Sequence, residues 1–363
     1  MIETPKTIRI ATFNVSLYGK KSGEIRTRLG RRDDSQAKQI ASIVQTVRPD
    51  ILLVNELDYE TDGAPAKLLA ENYFAVPQDN ASGDGKLDAI NYPYLMNAPS
   101  NTGIDSSLDL NNDGKRNTGN DAWGYGTYPG QYAMTVYSRF PIDDKAIRTF
   151  QKLRWSTMPG AIRPKNPETG KQYYPDEIWS QLRLSSKNHI DVPVLIGEHT
   201  LHVLASHPTP PVFDGPEDHN GARNHDEVEF WNRYLSNTDD TRSWLVDDSG
   251  QAGGLNSGSR FVIMGDLNAD PVDGSGRHEA IRRLLDHPRT EDPQPKASRP
   301  GAEATLTKTA DFGRNGFMRV DFVIPSNHLD VVDSGVFWPA SDDARNRWIK
   351  ATDHRLVWIE VTR

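Results

Sequence analysis

Residues 7–55 decide the fold class, because two strand-like segments flank one helical segment there. The chain reads TIRIATFNV over Thr7–Val15, SQAKQIASIVQTV over Ser35–Val47 and ILLVN over Ile51–Asn55. The first segment is β-branched and partly alternating, the second has apolar residues at helical spacing, and the third is a short apolar run. Ser35 is a possible N-cap for the helix. Strand, helix and strand in this order predict an α/β fold.

The rest of the chain continues this mixture and is interrupted by two polar regions. We predict further strands at Tyr132–Ser138, Asp191–Ile196, Thr200–Ser206, Arg260–Met264, Val320–Ile324 and Leu356–Val361, helices at Glu227–Leu235 and Gly276–Leu285, and a loop over Lys20–Asp34. The stretches near 78–130 and 154–190 are polar and lack apolar periodicity, so we interpret them as long loop insertions. With no repeat or linker visible, the pattern favours a single domain over residues 1–363.

Composition limits the possible classes of protein. The chain has 363 residues, of which 36% are hydrophobic and 25% charged, so it should fold around a core. Its net charge of −8 disfavours a general nuclease, since proteins that hold nucleic acid by its phosphates usually present a basic face. The absence of cysteine excludes disulfides, zinc–thiolate sites and a cysteine nucleophile.

The sequence also bears on membranes and targeting. No apolar run approaches the roughly 18 residues that span a bilayer, so no transmembrane segment is expected. No signal peptide is visible at Met1–Thr7. The chain is therefore either cytosolic or a mature form whose signal has been removed. Its oligomeric state is left open by the sequence.

Polar side chains lie just after predicted strands, within one in the case of Asp321, and just before the last strand in the case of Asp353 and His354. Strand ends are where α/β proteins usually build their sites. Each of these residues alone has a structural explanation, such as a turn, a solvated acid or a structural histidine. Their joint recurrence at strand ends is harder to explain in that way. The residues are Asn14, Glu56, His207, Asp266, Asn268, Asp321, Asp353 and His354.

The segments around these residues resemble the motifs of a known superfamily. TFNV, LVNELD, ASHPTPP, GDLNADP, RVDFVI and TDHRLVW resemble, in order, those of the endonuclease/exonuclease/phosphatase superfamily. Its members include deoxyribonuclease-like nucleases, abasic-site endonucleases, sphingomyelinases and inositol-polyphosphate phosphatases. The resemblance runs from residue 7 to about 361, apart from the two insertions. It implies a four-layered α-β-β-α sandwich in which two mixed sheets pack face to face.

The resemblance also implies a metal site. Glu56 matches the family's principal ligand of a divalent metal, usually Mg²⁺, for which Mn²⁺ could substitute. Asn14 matches the asparagine beside it, and Asp353 matches an acid near the metal. Oxygen ligands of this kind suit a hard divalent ion, which neutralises the charge of a phosphodiester and steadies the leaving oxygen.

The remaining matches imply catalytic roles. Asp266 matches the acid that orients or deprotonates the attacking water, and Asn268 matches the amide that holds a phosphate oxygen. His207 matches a histidine that faces the phosphate or leaving group, while Asp321 and His354 match a carboxylate–imidazole pair. A carboxylate beside a water supplies general-base help, and an imidazole fixed by a carboxylate is biased toward its charged form. Since no covalent nucleophile is evident, we predict direct in-line attack by water.

Three positions depart from branches of the family. Ser16 stands where nuclease branches often carry an acid or an amide two residues after the first asparagine. His207 stands where abasic-site enzymes have a tyrosine, which disfavours that branch and is more like the deoxyribonuclease, sphingomyelinase and phosphatase branches. Thr352 replaces the usual serine before the final Asp-His pair, which is a mild change.

The first insertion contains the D-x-N-x-D-G start of a calcium loop. Asp109, Asn111 and Asp113 would supply oxygens, and Gly114 would allow the sharp turn. The twelfth position, where an acid is expected, is Asn120. A structural Ca²⁺ site and a plain Asx-rich loop therefore both remain open. Calcium binding would favour a secreted or periplasmic protein, which is the location we expect.

Two other regions bear on the substrate. The aromatic, Gly-rich stretch Trp123–Tyr132 could line a substrate pocket or form a satellite core under a loop. Arg223, in the polar stretch after His207, is a candidate contact to a substrate phosphate. The basic residues between Lys20 and Arg32 could contact a nucleic-acid backbone, although a solvated loop is the commoner arrangement.

These observations predict a divalent-metal-dependent phosphoesterase that hydrolyses phosphodiester or phosphomonoester bonds. The first alternative is a DNA or RNA nuclease that uses the same residues. A second is a non-catalytic binding protein on a retired fold, which the complete set of polar residues disfavours. A third is a membrane-lipid phosphodiesterase, which would need an exposed aromatic hairpin.

Overall fold

The computed structural model describes residues 6–297 and 307–362. Along the chain the strands are β1 (Thr7–Leu17), β2 (Ile51–Leu57), β3 (Tyr94–Ala98), β4 (Met134–Ser138), β5 (Arg148–Thr149), β6 (His189–Ile196), β7 (His199–Ser206), β8 (Arg260–Asp266), β9 (Ala310–Asp311), β10 (Phe317–Met318), β11 (Asp321–Pro325), β12 (Val331–Val336) and β13 (Val357–Thr362). The α-helices are α1 (Glu24–Gly30), α2 (Ser35–Val47), α3 (Ala64–Leu69), α4 (Asp176–Trp179), α5 (His219–Ser236), α6 (Asp239–Trp244) and α7 (Glu279–Leu285).

Shorter helical turns complete the described chain. A π-helical turn over Ala70–Phe74 continues α3 directly. Turns of 3₁₀ type lie at Gly119–Asp121, Trp155–Thr157, Gly313–Asn315 and Ala344–Ala351. Among the described residues, no helix is both long enough and apolar enough to cross a membrane.

The strands form two sheets and a small hairpin. One sheet has the order β12–β13–β1–β2–β4–β3, the other has the order β11–β8–β7–β6–β5, and β9 pairs with β10. β1 pairs with β2 in parallel and β7 pairs with β8 in parallel, whereas the other pairs are antiparallel. Both sheets are therefore mixed, as predicted.

Three apolar clusters define the layers. One cluster fills the space between the sheets and includes Ile10 and Leu53 of the first sheet and Val203 and Val262 of the second. A second joins the outer face of the first sheet to α2 and α3, and the third joins the outer face of the second sheet to α5 and α7. The four-layered α-β-β-α sandwich is thus confirmed, with a core on both faces of each sheet.

The structure differs from the sequence-based predictions in two polar regions. Lys20–Asp34, predicted as a loop, contains α1, whose buried residues Ile25 and Leu29 are four positions apart among charged neighbours. The stretch near 78–130 contains β3, which lies at the edge of the first sheet and buries only Ala98. Two apolar residues in a charged run and a half-exposed edge strand give weak periodic signals, which explains both errors.

The helix predicted at Glu227–Leu235 is longer than its apolar pattern suggested. It forms the second half of α5, which begins at His219. The first half is polar, yet Asn224 and Asp226 are buried because their side chains bond loops of the second sheet. Polar residues buried by specific hydrogen bonds do not produce hydrophobic periodicity, so this half was missed.

Candidate active site

The side-chain alternation of four strands brings polar residues together between the sheets. Successive side chains of a strand point to opposite faces. In β1, Ile8 and Ile10 face the other sheet, and the same face continues through Thr12 to Asn14. By the same alternation Asp266 follows Val262 and Met264, Asp321 precedes Val323, and His207 follows Val203 and Ala205. These four residues therefore lie at one end of the space between the two sheets.

Glu56 reaches this space through an unusual backbone conformation. Leu52 and Val54 pack on the helix side of the first sheet, so strict alternation would turn Glu56 toward the helices as well. Its φ of 59° is left-handed, and the next residue on the helix side is Leu57. A non-glycine residue in this conformation costs about 1–3 kcal/mol and persists only where its surroundings impose it. The break in alternation places the Glu56 carboxylate in the site.

The amide of Asn14 bridges the two central acids. Its Nδ2 donates to Glu56 Oε1 and to Asp266 Oδ2, each at 3.0 Å, while its Oδ1 accepts from the backbone of Ser16. In this orientation Asn14 offers nitrogen to the centre of the site, and a direct contact from its oxygen to a cation would require the amide to rotate. Its role as a metal ligand stays a prediction.

Two overlapping groups of side chains in the described part of the chain could hold a metal ion. Ligand atoms of Glu56, His207 and Asp266 lie within 4.8 Å of one another, and so do those of Asp266, Asp321 and His354. We call these five residues together with Asn14 the strand-end cluster. Asp266 belongs to both groups and is 1% exposed, so it forms the centre of the cluster.

His354 and Asp321 form a close buried pair. His354 Nδ1 lies 2.9 Å from Asp321 Oδ2, and His354 Nε2 lies 3.6 Å from Asp266 Oδ2. Burial by itself would lower the pKa of His354, but the carboxylates of Asp321 and Asp266 raise it to about 10. At neutral pH His354 is therefore an imidazolium that Asp321 orients and that faces Asp266.

Asp266 stays ionised because one charged imidazole, a second imidazole and an amide surround it. Burial alone would raise its pKa, but charged His354, His207 and the amide of Asn14 hold the pKa of Asp266 well below its usual value. The opposing strand places Asp321 directly across from it, and burial raises the pKa of Asp321 to about 6. The carboxylate of Asp266 is thus available as an acceptor at physiological pH, while its low basicity favours orienting a water.

His207 lies on the other side of Asp266 in a more strongly desolvated position. Its Nε2 is 3.4 Å from Asp266 Oδ2 and 3.9 Å from Glu56 Oε1. Burial, followed by the charge of Lys187, lowers the pKa of His207. Its Nδ1 is buried and has no hydrogen-bond partner in the described chain. His207 is therefore a neutral imidazole at the site, in contrast to His354.

Asn268 and Asp353 lie at the periphery of the cluster. The backbone nitrogen of Asn268 donates to Asp266 Oδ1 at 2.9 Å, and its Nδ2 donates to the carbonyl of Pro208 at 3.1 Å. Its φ of 50° is also left-handed, so the turn after β8 is held in a strained form. Asp353 is half exposed, with Oδ1 3.9 Å from His354 Nε2. Asn268 therefore contacts Asp266, and Asp353 lies next to His354.

Two of the three departures from the family pattern, Ser16 and Thr352, contact each other. Ser16 Oγ lies 3.2 Å from Thr352 Oγ1, and Gln36 Nε2 donates to the carbonyls of Ser16 and Ala351. These contacts join the loop after Asn14 to the loop before His354. A serine at position 16 is thus part of the packing that holds two site loops together.

Sequence reasoning missed a buried lysine in the site. Lys187 precedes β6, is 7% exposed and places Nζ 3.4 Å from the carbonyl of Pro208, next to His207. Burial lowers the pKa of Lys187, while Glu227, Glu56 and Asp266 act in the opposite direction. It lies in the polar SSKNH segment, where no apolar pattern marked it. Its positive charge offsets part of the negative charge of the cluster.

Helix α5 supports the site through two residues that the sequence did not single out for a role. Glu227 accepts from the backbone of Ser186 at 2.5 Å and from the backbone of Thr209 at 2.7 Å. Asn224 Nδ2 donates to the carbonyls of Thr209 and Leu267. The helix therefore ties the loops that carry Lys187, His207 and Asn268 to one rigid element.

The guanidinium of Arg223 is occupied by hydrogen bonds within the protein. Its guanidinium donates to the backbone carbonyls of Leu184, Trp123 and Arg183 at 2.7–3.0 Å. These bonds hold two loops against α5. A guanidinium engaged with three carbonyls is poorly placed to bind a substrate phosphate, and this role of Arg223 stays a prediction.

The Asp109–Gly114 loop satisfies its own oxygens. Asp109 accepts from the backbone nitrogens of Asp113 and Gly114, and Asp113 accepts from Lys115. Asp121, next to the twelfth position, instead accepts from Leu110 and Thr118. This is the Asx-rich arrangement that the sequence left open beside calcium binding. Calcium binding at the loop stays a prediction.

Comparisons with known proteins agree with this architecture. The model of the Endonuclease/Exonuclease/phosphatase family matches residues 11–354. An endonuclease/exonuclease/phosphatase from Beutenbergia cavernae DSM 12333 has a similar fold, with a TM-score of 0.52 and 17% identity over 99% of this chain and 72% of that one. A family protein from Leptotrichia buccalis C-1013-b gives a TM-score of 0.51 and 12% identity over 98% and 100% of the two chains.

A search of curated proteins finds no match by sequence. The two structural likenesses, at these identities, concern the fold alone, whereas the family model covers nearly the whole chain and all the residues of the strand-end cluster. The chain therefore belongs to the endonuclease/exonuclease/phosphatase family, whose members are generally hydrolytic enzymes that typically use a divalent metal.

Proposed function

We propose that this protein is a divalent-metal-dependent phosphoesterase that hydrolyses phosphodiester or phosphomonoester bonds by in-line attack of water. The observation that supports this most directly is the position of Asp266. Its ionised carboxylate accepts a hydrogen bond from the amide of Asn14. It lies between the charged imidazole of His354 and the neutral imidazole of His207. A carboxylate next to such groups can orient water toward an anionic phosphate whose charge they help to offset.

The donor set suits a hard divalent cation. Glu56 and Asp266 provide carboxylate oxygens, and the Glu56 side chain is 20% exposed, so it can be reached from solvent. Asp353 adds a half-exposed carboxylate, and the amide oxygen of Asn14 would join after rotation. Mg²⁺ prefers such oxygen ligands, and Mn²⁺ accepts them as well. When bound, the cation would polarise the phosphoryl oxygens and stabilise the leaving oxygen.

The other side chains of the site would stabilise negative charge or form hydrogen bonds with the substrate. His354, fixed by Asp321, presents positive charge where negative charge develops on the phosphoryl oxygens. Neutral His207 can donate or accept a hydrogen bond at the phosphate or leaving group, depending on its tautomer. Asn268 is held beside Asp266 and Pro208, and its amide can contact a phosphate oxygen. Lys187 adds a buried positive charge behind His207.

The basic stretch after β1 weakens the case for a nuclease. Arg26 pairs with Glu60 and Asp62, Arg28 pairs with Asp34, and Arg32 donates to Asn72. These three guanidiniums are therefore engaged within the protein, whereas Lys20, Lys21 and Arg31 of the same stretch are exposed. With a net charge of −8, small phosphate esters are favoured as substrates.

The test compares three substrates with Mg²⁺ and with a chelator. Bis-(p-nitrophenyl) phosphate reports diester hydrolysis, p-nitrophenyl phosphate reports monoester hydrolysis, and plasmid DNA reports nicking. We expect chelator-sensitive release of p-nitrophenol without DNA nicking. Rapid nicking with weak ester turnover would favour the nuclease, and hydrolysis that persists in chelator would contradict metal dependence. No turnover of any substrate would contradict the proposal for these ester classes and favour a binding protein.

A further inference from the structure

Two tyrosines stand at the mouth of the strand-end cluster, one on each side of the strand that carries Glu56. β1 and β4 both pair with β2, and their register places Leu17 beside Leu57 and Met134 beside Asn55. Tyr18 directly follows Leu17, and Tyr132 comes two residues before Met134. The flanking strands therefore deliver one tyrosine each to the end of β2. Their ring centroids are 4.6 Å apart with an interplanar angle of 61°.

The surrounding loop leaves these two rings and the exposed Tyr125 available, whereas two other rings of the same stretch are engaged within the protein. In the same aromatic stretch Tyr128 donates its hydroxyl hydrogen to Asp58 at 2.6 Å, and Trp123 packs under the guanidinium of Arg183. Those two rings fix the loop. By contrast, Tyr18 is 38% exposed and Tyr132 is partly exposed.

The backbone holds Tyr132 in a conformation that is costly by itself. Its φ of 57° is left-handed, a conformation that a non-glycine residue keeps only where its surroundings impose it. The neighbouring Gly130 approaches Tyr59 so closely that a Cβ there would lie 2.4 Å from the Tyr59 carbonyl oxygen. Gln131 Nε2 donates to the carbonyl of Gly19, the residue that follows Tyr18. The two loops are thus locked together in the geometry that makes the rings meet.

The electrostatic surroundings limit what can bind on the tyrosine pair. After burial, the charges of Glu56 and Asp353 are the main causes that raise the pKa of Tyr18, and Glu56 and Asp58 contribute to raising that of Tyr132. The pair therefore lies in the negative field of the acids at the site. An uncharged ring can pack against the tyrosine rings without a counter-charge of its own, whether or not a cation offsets the charge of these acids.

We propose that Tyr18 and Tyr132 form a subsite for an uncharged aromatic ring esterified to the substrate phosphate. The inference rests on the proposed function, because the subsite is useful only if the neighbouring cluster binds the phosphate. Packing of one ring against another contributes about 0.5–1.5 kcal/mol beyond area burial, and one tenfold change in affinity corresponds to about 1.4 kcal/mol. The subsite selects phosphate esters of ring-bearing alcohols over those of small alkyl alcohols or of highly charged sugars.

The test uses two phosphonates that cannot be hydrolysed and that differ only in the ring. Calorimetric titration with Mg²⁺ compares phenylphosphonate with methylphosphonate on the wild type and on Tyr18→Leu, Tyr132→Leu, Tyr18→Phe and Tyr94→Leu. Tyr94 is a matched control, since it is 39% exposed and lies on β3 beside Ser138, at the opposite end of the sheet from Glu56. Thermal melts establish that each variant is folded.

We expect the wild type to bind phenylphosphonate about tenfold more tightly than methylphosphonate. The ratio should fall below about threefold in both leucine variants and should persist in Tyr18→Phe and Tyr94→Leu, which keep the ring or leave the subsite intact. No preference in the wild type, or a preference that survives both leucine substitutions, would overturn the subsite. If the protein hydrolyses esters but shows either result, only this inference fails; if neither phosphonate binds and no ester is hydrolysed, the proposed function fails too.

Discussion

The strand-end cluster and the Asp109–Gly114 loop contain similar residues in opposite environments. Both combine aspartates with asparagine within a few ångströms. In the loop, the carboxylates of Asp109 and Asp113 accept backbone nitrogens of the loop itself, and Asp113 is exposed. In the cluster, Asp266 and Asp321 are buried and face imidazoles.

The difference shows that residue type alone does not make a functional site. Carboxylates that bond their own turn are satisfied without any ligand, and their main effect is to shape the loop. Carboxylates buried against one another carry a desolvation cost that needs opposing charge, which His354 and Lys187 provide in part. The strained backbone at Glu56 and Asn268 adds to that cost. Destabilising features of this kind, which include buried charge and backbone strain, are typical of sites that bind a ligand or catalyse a reaction.

The largest effect is expected from removing the centre of the cluster. Asp266→Ala should lower the rate of ester hydrolysis by about 10³-fold or more, because it removes the acceptor for water and the partner of both imidazoles. The same substitution at Asp113, in the exposed loop, is the matched control and should leave the rate within about twofold. Rates are measured with bis-(p-nitrophenyl) phosphate and Mg²⁺ on variants whose melting curves show folded protein. Near-normal turnover of Asp266→Ala would refute the proposed mechanism.

A similarly large loss of hydrolytic rate is expected when the charged imidazole of His354 is removed. His354→Ala should also lose most of the hydrolytic rate, since the positive charge beside Asp266 and the partner of Asp321 both disappear. The exposed His328 provides a control for the same substitution. The measurement is the initial rate of ester hydrolysis, and equal rates for the two alanine variants would contradict the role of His354.

A smaller change is expected for metal binding. Glu56→Gln removes the negative charge of the most accessible carboxylate in the cluster, so half-maximal activity should require about 10–100 times more Mg²⁺. Glu198→Gln, at an exposed turn after β6, serves as the control. The experiment is a Mg²⁺ titration of the hydrolysis rate. An unchanged titration curve in Glu56→Gln would reject it as a ligand.

The stability of the protein should fall in acid because of the buried residue His189, which contacts helix α5 behind the cluster. His189 is buried between Ser185 and the Glu227 carbonyl, and burial lowers its pKa from 6.5 to about 3. Between these pH values His189 is protonated in the unfolded chain but not in the folded protein. The stability that neutral His189 contributes above pH 6.5 is therefore lost as pH falls. From pH 6.5 to 5 this loss should amount to at most about 2 kcal/mol.

Urea unfolding at several pH values measures this loss. His189→Gln should flatten the decline between pH 6.5 and 5, because glutamine does not titrate, although the variant is less stable than the wild type at neutral pH. If wild type and variant lose stability in parallel over this interval, another group is responsible for the acid sensitivity.

The smallest effect is expected in the Asp109–Gly114 loop. Because its carboxylates are satisfied by backbone hydrogen bonds, Asp113→Ala should change the free energy of unfolding by about 0.5 kcal/mol or less, as is usual for exposed positions. The change should be the same with Ca²⁺ and with chelator. A melting temperature that rises with Ca²⁺ in the wild type and not in Asp113→Ala would instead establish the calcium site.

Much of the fold could be predicted because its strands have strong patterns. The segments at β1, β2 and β8 are apolar runs with a polar residue at or near their ends, and β11 is an apolar run that begins with Asp321. The order of these segments along the chain matched that of a known family. The side-chain alternation then determined which polar residues share the space between the sheets. The two packed sheets and the roles of the site residues were implied by the resemblance to that family and not by the local patterns.

The residues that were missed have no local signal. Lys187, Asn224 and Glu227 lie in polar segments and become important only because the fold buries them beside the cluster. The meeting of Tyr18 with Tyr132 depends on two strands that are far apart in sequence and flank β2. The break in side-chain alternation at Glu56 depends on a left-handed φ, which cannot be predicted from the presence of a glutamate in the sequence.

The most direct test of the central contrast is an anomalous-diffraction experiment on crystals soaked with Mn²⁺. The account predicts a strong anomalous peak in contact with Glu56 in the strand-end cluster, and no comparable peak at the Asp109–Gly114 loop. The peak should weaken in crystals of Glu56→Gln and stay in those of Asp113→Ala. A peak at the loop alone, or none in the cluster at saturating Mn²⁺, would contradict the assignment of the strand-end cluster as a metal-dependent active site.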